Sequence, residues 1–183
     1  MTGLSRRHAL FAIGGGILAA PFMGHAALAQ FDDVSKEMIL NDPAAPVGGN
    51  PKGDVTIVAF LDYNCPFCKK SAPDLDRAVK EDGKVRLVYK DWPVIRPTSM
   101  DGAEFALAAK YQGKYDAAHH ALMAIPGSGI SKEKMRKALA AAGIDMRRLD
   151  ADMKARSSEI EAIIKRNMAQ ADALGLTGTP TYL

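Results

Sequence analysis

Hydrophobic positions in the first half of the chain predict a strand, a helix and a second strand in succession. Residues 55–61 are almost continuously apolar, and four of the six residues at 85–90 are apolar or aromatic. Short runs rich in β-branched residues are typical of buried strands. The segment between them has helical periodicity from Pro66 to about Asp82, where Gly83 ends the helix. A right-handed crossover through this helix would make the two strands parallel neighbours. The pattern therefore predicts an α/β unit.

The apolar pattern beyond residue 99 is helical only. Glycine and proline residues interrupt it and divide it into segments. The predicted helices cover residues 101–112, 114–124, 131–142 and about 145–174, the last of which allows breaks. We interpret residues 99–174 as a block of helices inserted between the second strand and residues 178–180.

The chain is less regular before the first strand. A short helix is predicted at residues 33–40, and residues 41–53 are rich in turn-forming residues. No linker rich in Gly, Ser or Pro divides the rest of the chain, so about 150 residues are available for one domain with its own core.

The first 29 residues are typical of an export signal. Arg6-Arg7 precedes a weakly apolar stretch at residues 9–20, and residues 27–29 (Ala-Leu-Ala) provide a cleavage site after which the mature chain would begin at Gln30. A twin-arginine signal and a general secretory signal both fit. Either route leads out of the cytoplasm, so we expect a periplasmic protein. No later stretch approaches the roughly 18 apolar residues that span a bilayer.

The charge balance argues against several classes of partner. The chain has 24 Lys and Arg residues against 21 Asp and Glu residues. Removal of residues 1–29 takes away Arg6 and Arg7 and no acid, which leaves 22 basic and 21 acidic residues, a net charge of +1. Such a balanced chain gives no reason to expect binding to nucleic acid or to an anionic membrane surface.

The chain has only two cysteines, Cys65 and Cys68, at the junction between the first strand and the helix. A thiol in the first turn of a helix faces unpaired N–H groups and the positive end of the helix dipole, which favours the thiolate. Cys65 is therefore the candidate nucleophile. Cys68 lies nearly one turn further on the same face and can resolve a mixed disulfide at Cys65. Such a pair needs no cofactor.

Three other roles would also use a pair of cysteines. An inert structural disulfide is disfavoured, because a bridge that closes so small a loop restrains the unfolded chain little. A structural zinc site needs four ligands, and the mature chain adds only His119 and His120, which are simpler to explain as helix residues with one facing inward. Binding of Cu(I) stays open, since two thiolates suit that ion.

Several motifs together resemble the DsbA-like branch of the thioredoxin superfamily, which consists of secreted thiol:disulfide oxidoreductases. They are residues 62–70 (DYNCPFCKK), residues 90–93 (KDWP), the helical insertion and residues 178–180 (GTP). The similarity covers nearly the whole mature chain, and residues 41–60 are similar to the subgroup with ScsC-type and BdbD-type proteins. The resemblance implies a thioredoxin-like α/β fold at residues 54–183 with an inserted helical domain, preceded by an N-terminal extension at residues 30–53.

The resemblance also implies roles for individual residues. Cys65 would attack and Cys68 would resolve, while Thr179 and Pro180 would form a cis peptide bond that faces the cysteines. Phe67, Thr179 and Pro180 would contact the substrate. The implied activity is disulfide exchange with unfolded or partly folded client proteins and with a redox partner protein. Oxidation of clients is the leading interpretation, and isomerisation or reduction is the alternative.

Three departures from the family pattern are expected to matter. Relatives usually carry a buried acid six residues before the nucleophile, where this chain has Ala59; Asp62 should lie on the opposite face of the strand. Phe67 replaces the histidine of strongly oxidising relatives, so a less oxidising protein is expected. The sequence ends at Leu183, so we expect a truncated chain of low stability that lacks the last strands and helix of the fold.

Overall fold

The computed structural model describes residues 33–183, so the predicted export signal lies outside the described residues. It contains four strands and seven helices. The helices are α1 (Lys36–Asn41), α2 (Pro66–Asp82), α3 (Pro97–Lys110), α4 (Tyr115–Met123), α5 (Lys132–Ala141), α6 (Met146–Ala155) and α7 (Ser157–Ala173). The strands are β1 (Val47–Gly49), β2 (Val55–Leu61), β3 (Val85–Asp91) and β4 (Thr181–Tyr182).

The predicted strand, helix and strand are confirmed as β2, α2 and β3. The two strands pair in parallel over their whole length, from Val55 opposite Val85 to Leu61 opposite Asp91. Pro66 occupies the start of α2, where its missing N–H costs nothing. Gly83 ends the helix with a φ of 70° and donates its N–H to the Val79 carbonyl. Local sequence signals therefore set both ends of α2.

Two short strands complete a sheet with the order β1-β3-β2-β4. β1 lies antiparallel to β3 within the segment that was predicted as turn-rich, and the sequence pattern did not reveal it. Its glycines are required by close packing: a Cβ on Gly48 would lie 2.9 Å from the Tyr89 ring, and one on Gly49 would lie 2.5 Å from the Val85 carbonyl oxygen. β4 pairs antiparallel with β2, with Phe60 opposite Thr181.

The two faces of the sheet carry separate apolar clusters. Because side chains alternate along a strand, Ala59, Leu61 and Leu87 face one cluster with α2 and the inserted helices. Phe60 and Trp92 belong to the cluster on the other face, whose other buried members are Ile39, Ala45, Val58, Val88 and Ala171. The sheet is therefore covered on both sides, as expected for an α/β fold.

The helical block lies between β3 and β4, as predicted, although its boundaries differ in detail. The first helix begins at Pro97 instead of residue 101, because proline is well suited to an initial helical position. The predicted segment 145–174 divides at Arg156 into α6 and α7. Ser131 caps α5 by accepting the Lys134 N–H, and Asp145 caps α6.

A buried group of three charges joins the N-terminal segment to the rest of the fold. Arg166 Nε lies 2.8 Å from Asp42 Oδ2, and Lys90 Nζ lies 3.7 Å from the same oxygen. The side chains of Lys90 and Asp42 are fully buried, and that of Arg166 is 6% exposed. Burial lowers the pKa of Lys90 to about 8, and the nearby Asp42 carboxylate opposes this shift. Asp42 thus forms ion pairs with one cation from β3 and one from α7.

Candidate active site

Cys65 and Cys68 occupy the first turn of α2, where the sequence predicts them. Cys65 is the residue that caps the helix, and its Sγ accepts the backbone N–H of Cys68 at 3.3 Å. Both thiols are free, with residue exposures of 1% for Cys65 and 0% for Cys68. The structure therefore describes the dithiol form of the pair, in which the Cys65 sulfur caps the N-terminus of α2 and Cys68 is fully buried.

Thr179 and Pro180 lie beside the cysteines although they are more than a hundred residues away in the chain. The Cys65 thiol donates to the Thr179 carbonyl oxygen at 3.1 Å, and the Thr179–Pro180 peptide bond is cis. The Cys65 sulfur accepts from the backbone of α2 and donates to the segment before β4. Cys65 is thus held between two opposing hydrogen-bond partners.

Cys68 is strongly disfavoured as a thiolate. Burial raises the pKa of Cys68 to about 12, and the adjacent Cys65 sulfur contributes to the rise. A backbone group of Asp62 and the Thr179 side chain act in the opposite direction on this pKa. Thr179 Oγ1 is itself buried and, within residues 33–183, has no conventional hydrogen-bond partner. The two thiols therefore have different surroundings, with Cys68 the one kept protonated.

Phe67 projects from the first turn of α2 with 71% of its surface exposed. It is the most exposed large apolar side chain in the part of the chain that the structure describes. Exposure of one large apolar residue is common, but this one lies between the two cysteines in sequence. A molecule that reached Cys65 would meet an aromatic ring at the same turn.

Asp62 does not replace the acid that relatives carry at the position of Ala59. Its Oδ1 accepts the Asn64 N–H at 2.7 Å, and its Oδ2 accepts the N–H groups of Val94 and Ile95 at 2.8 and 2.9 Å. All three donors are backbone N–H groups, so the Asp62 carboxyl group acts as a structural acceptor. Asp62 thus fixes the loop before Cys65 to the loop after β3.

A second buried carboxyl near the site was not predicted from the sequence. Asp91, at the end of β3, accepts the Tyr115 hydroxyl at 3.0 and 3.1 Å. That hydroxyl lies 3.3 Å from the Tyr63 hydroxyl, which is 3.1 Å from His119 Nδ1. Burial lowers the pKa of His119 to about 3, so the imidazole is neutral. The alternation of residues 85, 87, 89 and 91 along one face was the signal that would have found Asp91.

The protonation of Asp91 should make stability depend on pH. Burial raises the pKa of Asp91 from 3.8 to about 7, against the opposing hydrogen bonds from Tyr63 and Tyr115. The folded chain then holds this proton more tightly than the unfolded chain does. The stabilisation is complete below the unfolded pKa and is lost as pH rises through the folded pKa. We compare the free energy of unfolding of the wild type with that of Asp91→Asn. The wild-type value should decrease relative to the variant as the pH rises from the unfolded pKa of Asp91 to its folded pKa. Urea titrations at several pH values measure this difference. A difference that stays constant with pH would contradict this assignment.

Residues 33–183 contain no candidate for a membrane span and no cluster of three or more potential metal ligands. No helix in this range is long and apolar enough to cross a bilayer. Nor does this range hold a group of three or more His, Cys, Asp or Glu side chains arranged to bind a metal ion. His119 is buried and His120 faces the surface, as predicted for a pair of helix residues.

Two solved structures are similar to this chain over most of their length. A thioredoxin-like oxidoreductase from Silicibacter pomeroyi DSS-3 is 42% identical, with a TM-score of 0.76 over 81% of this chain and 84% of that one. The thiol-disulfide exchange protein alpha-DsbA2 from Wolbachia pipientis is 28% identical, with a TM-score of 0.76 over 85% of this chain and 84% of that one. The predicted fold class is thereby confirmed.

Similarity to curated proteins is partial. The Na(+)/H(+) antiporter NhaA 1 of Mycolicibacterium gilvum (strain PYR-GCK) is 30% identical over 138 residues, which are 74% of this chain and 22% of the antiporter. The chain thus spans about a fifth of the length of the curated relatives it matches.

A family model described as thioredoxin matches residues 41–183, which include β1 to β4, the cysteine pair and the Thr179–Pro180 segment. Of the two structural neighbours, one is described as a thioredoxin-like oxidoreductase and the other as a thiol-disulfide exchange protein. On the combined basis of that match, the sheet order and the similar structures, the chain belongs to the thioredoxin family and is related to its DsbA-like members.

Proposed function

We propose that this protein exchanges disulfides with client proteins outside the cytoplasm, with Cys65 as the nucleophile and Cys68 as the resolving thiol. One observation carries the proposal: Cys65 Sγ caps α2 and accepts the Cys68 N–H, while burial raises the pKa of Cys68 to about 12. The thiolate is the reactive form of cysteine, so the two environments distinguish an attacking from a resolving sulfur. The thiol-disulfide chemistry of the structural neighbours supports the same assignment.

The proposed cycle balances as a two-electron exchange. In the oxidising direction, a client thiolate attacks Cys65 Sγ of the Cys65–Cys68 disulfide, and Cys68 leaves and takes up a proton. The second client thiolate then attacks the client sulfur of the mixed disulfide, and Cys65 leaves. The client gains a disulfide and loses two electrons, which the cysteine pair gains. A redox partner protein would restore the pair. The reverse sequence reduces a client. Isomerisation would begin with attack of the Cys65 thiolate on a client disulfide and end when another client thiolate displaces Cys65, with no net transfer of electrons.

We assign substrate contact to Phe67, Thr179 and Pro180. The assignment is supported by the exposed ring of Phe67 and by the 3.1 Å contact of the Thr179 carbonyl with the Cys65 thiol. An extended client segment beside Thr179 would find backbone groups with which to pair, a common mode of peptide recognition. The export-signal pattern at residues 1–29 supports a periplasmic setting, where disulfides persist.

The direction of exchange is tested by equilibrating the protein with glutathione redox buffers and measuring its reduction potential. A value near that of oxidising periplasmic catalysts would support disulfide donation, and a value near that of thioredoxin would support reduction or isomerisation. Absence of any exchange would contradict the proposal. Tight Cu(I) binding that Cys65→Ala abolishes would then favour a copper carrier.

Phe67→His is expected to make the pair more oxidising. A protonated imidazole in the first turn would add positive charge near the Cys65 thiolate and stabilise the reduced form. We expect a shift of roughly tenfold in the equilibrium with glutathione, which corresponds to about 30 mV. Phe67→Leu is the matched control, because it shortens the side chain without adding charge, and it should leave the equilibrium nearly unchanged. Equal shifts in both variants would show that the charge is not the cause.

A further inference from the structure

Asn64, the residue directly before Cys65, has a fully buried side chain whose polar atoms are all used. Its Oδ1 accepts the Ile130 N–H at 2.7 Å. Its Nδ2 donates to Thr98 Oγ1 at 3.2 Å and to Ser99 Oγ at 3.4 Å. A buried amide with all its partners in place favours one orientation strongly, since each lost partner would leave a polar group unpaired.

The partners of Asn64 come from two separate parts of the helical block. Thr98 and Ser99 lie in the first turn of α3, and Ile130 lies just before the cap of α5. None of them is close to Asn64 in sequence. The side chain therefore joins the peptide that precedes Cys65 to two segments whose positions are set by helix packing.

The loop that contains Ile130 has a second contact, which is made by Lys69 of α2, the residue directly after Cys68. Lys69 Nζ donates to the Gly127 carbonyl at 2.8 Å, and the Lys69 N–H donates to the Cys65 carbonyl at 3.2 Å. Residues 127–130 are thus fixed both to the residue before Cys65 and to the residue after Cys68. If one contact is removed, the other still keeps this loop near the site.

We propose that Asn64 is a positioning residue for Cys65, through which the helical block sets the geometry of the cysteine pair. The inference rests on the proposed function and adds a determinant outside the cysteine motif. Asn64 holds its own peptide in place, so that the next residue caps α2 with Sγ between the Cys68 N–H and the Thr179 carbonyl. Two further ties restrain the loop: the Cys65 N–H donates to the Asp62 carbonyl at 3.1 Å, and the Asn64 N–H donates to Asp62 Oδ1.

Asn64→Ala tests the proposal because it removes the side-chain contacts and leaves these backbone contacts available. We expect the single-turnover rate of disulfide exchange with a model peptide to fall by about 10- to 100-fold, as for a misplaced reacting group. The equilibrium with glutathione should also shift, because the Cys65 thiol of the reduced form donates to the Thr179 carbonyl and this contact depends on the position of Cys65.

Asn50→Ala is the matched control. Asn50 also uses its amide to join loops, since its Nδ2 donates to the Gly83 carbonyl at 2.9 Å and its Oδ1 accepts the Lys52 N–H at 3.0 Å. It contacts the end of α2 opposite to the cysteines. Removal of the Asn50 amide should change the rate of disulfide exchange less than about twofold, because distant independent sites couple weakly. The proposal is overturned if Asn64→Ala exchanges disulfides as fast as wild type, or if both variants lose rate in proportion to lost stability.

Thr98→Val provides a milder variant for the case in which Asn64→Ala does not fold. It removes one of the two acceptors of Asn64 Nδ2 and preserves the side-chain shape. We expect the NMR resonances of Cys65, which is remote from residue 98 in sequence, to shift in this variant. Unchanged Cys65 resonances would overturn the proposal. This readout needs no client and no exchange, so it separates failure of the positioning role from failure of the proposed function.

Discussion

Cys65→Ser is expected to lower the rate of disulfide exchange by more than about 1000-fold, because the variant lacks the sulfur that forms the mixed disulfide. The remaining cysteine cannot take over, since Cys68 is fully buried and its pKa is raised to about 12. The rate is measured with a reduced peptide that forms an intramolecular disulfide. The chain has no other cysteine that could mask the effect.

Cys68→Ser should fail in a different way and serves as the matched variant. Cys65 would still attack a client disulfide, but the mixed disulfide could not be resolved from within the protein. We expect a covalent adduct at Cys65 that non-reducing electrophoresis and peptide mass spectrometry detect. The assigned roles would be reversed by the opposite result. In that case Cys65→Ser would accumulate an adduct at Cys68, and Cys68→Ser would accumulate none at Cys65.

Among the variants proposed for this protein, Asp42→Asn is expected to lose the most stability, about 3–5 kcal/mol in the free energy of unfolding. The carboxylate lies between Lys90 and Arg166, and the Lys90 side chain is fully buried. Asp42→Asn removes the carboxylate that the buried Lys90 ammonium faces, and the charge of Arg166 adds to the positive charge in this low-dielectric interior. Urea unfolding followed by circular dichroism measures the loss.

The control for Asp42→Asn is Asp74→Asn, which removes an ion pair of similar chemistry at the surface. Arg77 Nη2 lies 2.6 Å from Asp74 Oδ1, and the side chains of Arg77 and Asp74 are 63% and 70% exposed. Exposed pairs contribute about 0–1 kcal/mol, so this variant should unfold almost as the wild type does. If both variants lost a similar free energy of unfolding, burial would not be the cause of the stabilisation by the Asp42 ion pairs.

The β2-α2-β3 unit could be predicted because its signals are local. The apolar runs of the two strands and the cap at Gly83 each act on neighbouring residues. The spacing of Cys65 and Cys68 with Pro66 between them is also local, so the start of α2 was placed correctly. The helical block was likewise predicted from periodicity, although its ends shifted by a few residues, as is common.

The short strand β1 could not be predicted in the same way. Val47–Gly49 has two glycines, which are depleted in strands, and it is extended because it pairs with β3. The contacts of Gly48 with Tyr89 and of Gly49 with Val85 explain the glycines only once the pairing is known. A three-residue strand depends on its partner and carries little signal of its own.

The polar residues around the candidate site were mostly missed for a related reason. Asn64 belongs to the motif at residues 62–70, yet its amide contacts residues 34 to 66 positions away. Asp91 belongs to the KDWP motif, and its pKa is raised by complete burial against the opposing hydrogen bonds from Tyr63 and Tyr115. Burial and long-range partners are properties of the packed chain and are not encoded at a fixed spacing.

By itself the sequence determined the strand-helix-strand unit, the inserted helices, the cysteine pair at a helix start and, through resemblance, the family. These features depend on local propensity and on short motifs, in which each residue acts on its neighbours. The resemblance placed Thr179 opposite the cysteines, whereas only the tertiary structure decided that its carbonyl accepts from the Cys65 thiol. Only the tertiary structure also decided that Asp42 pairs with two buried cations and that Asn64 joins Cys65 to the helical block. Such contacts arise from the packing of distant segments, where burial and geometry set both the partners and their energies.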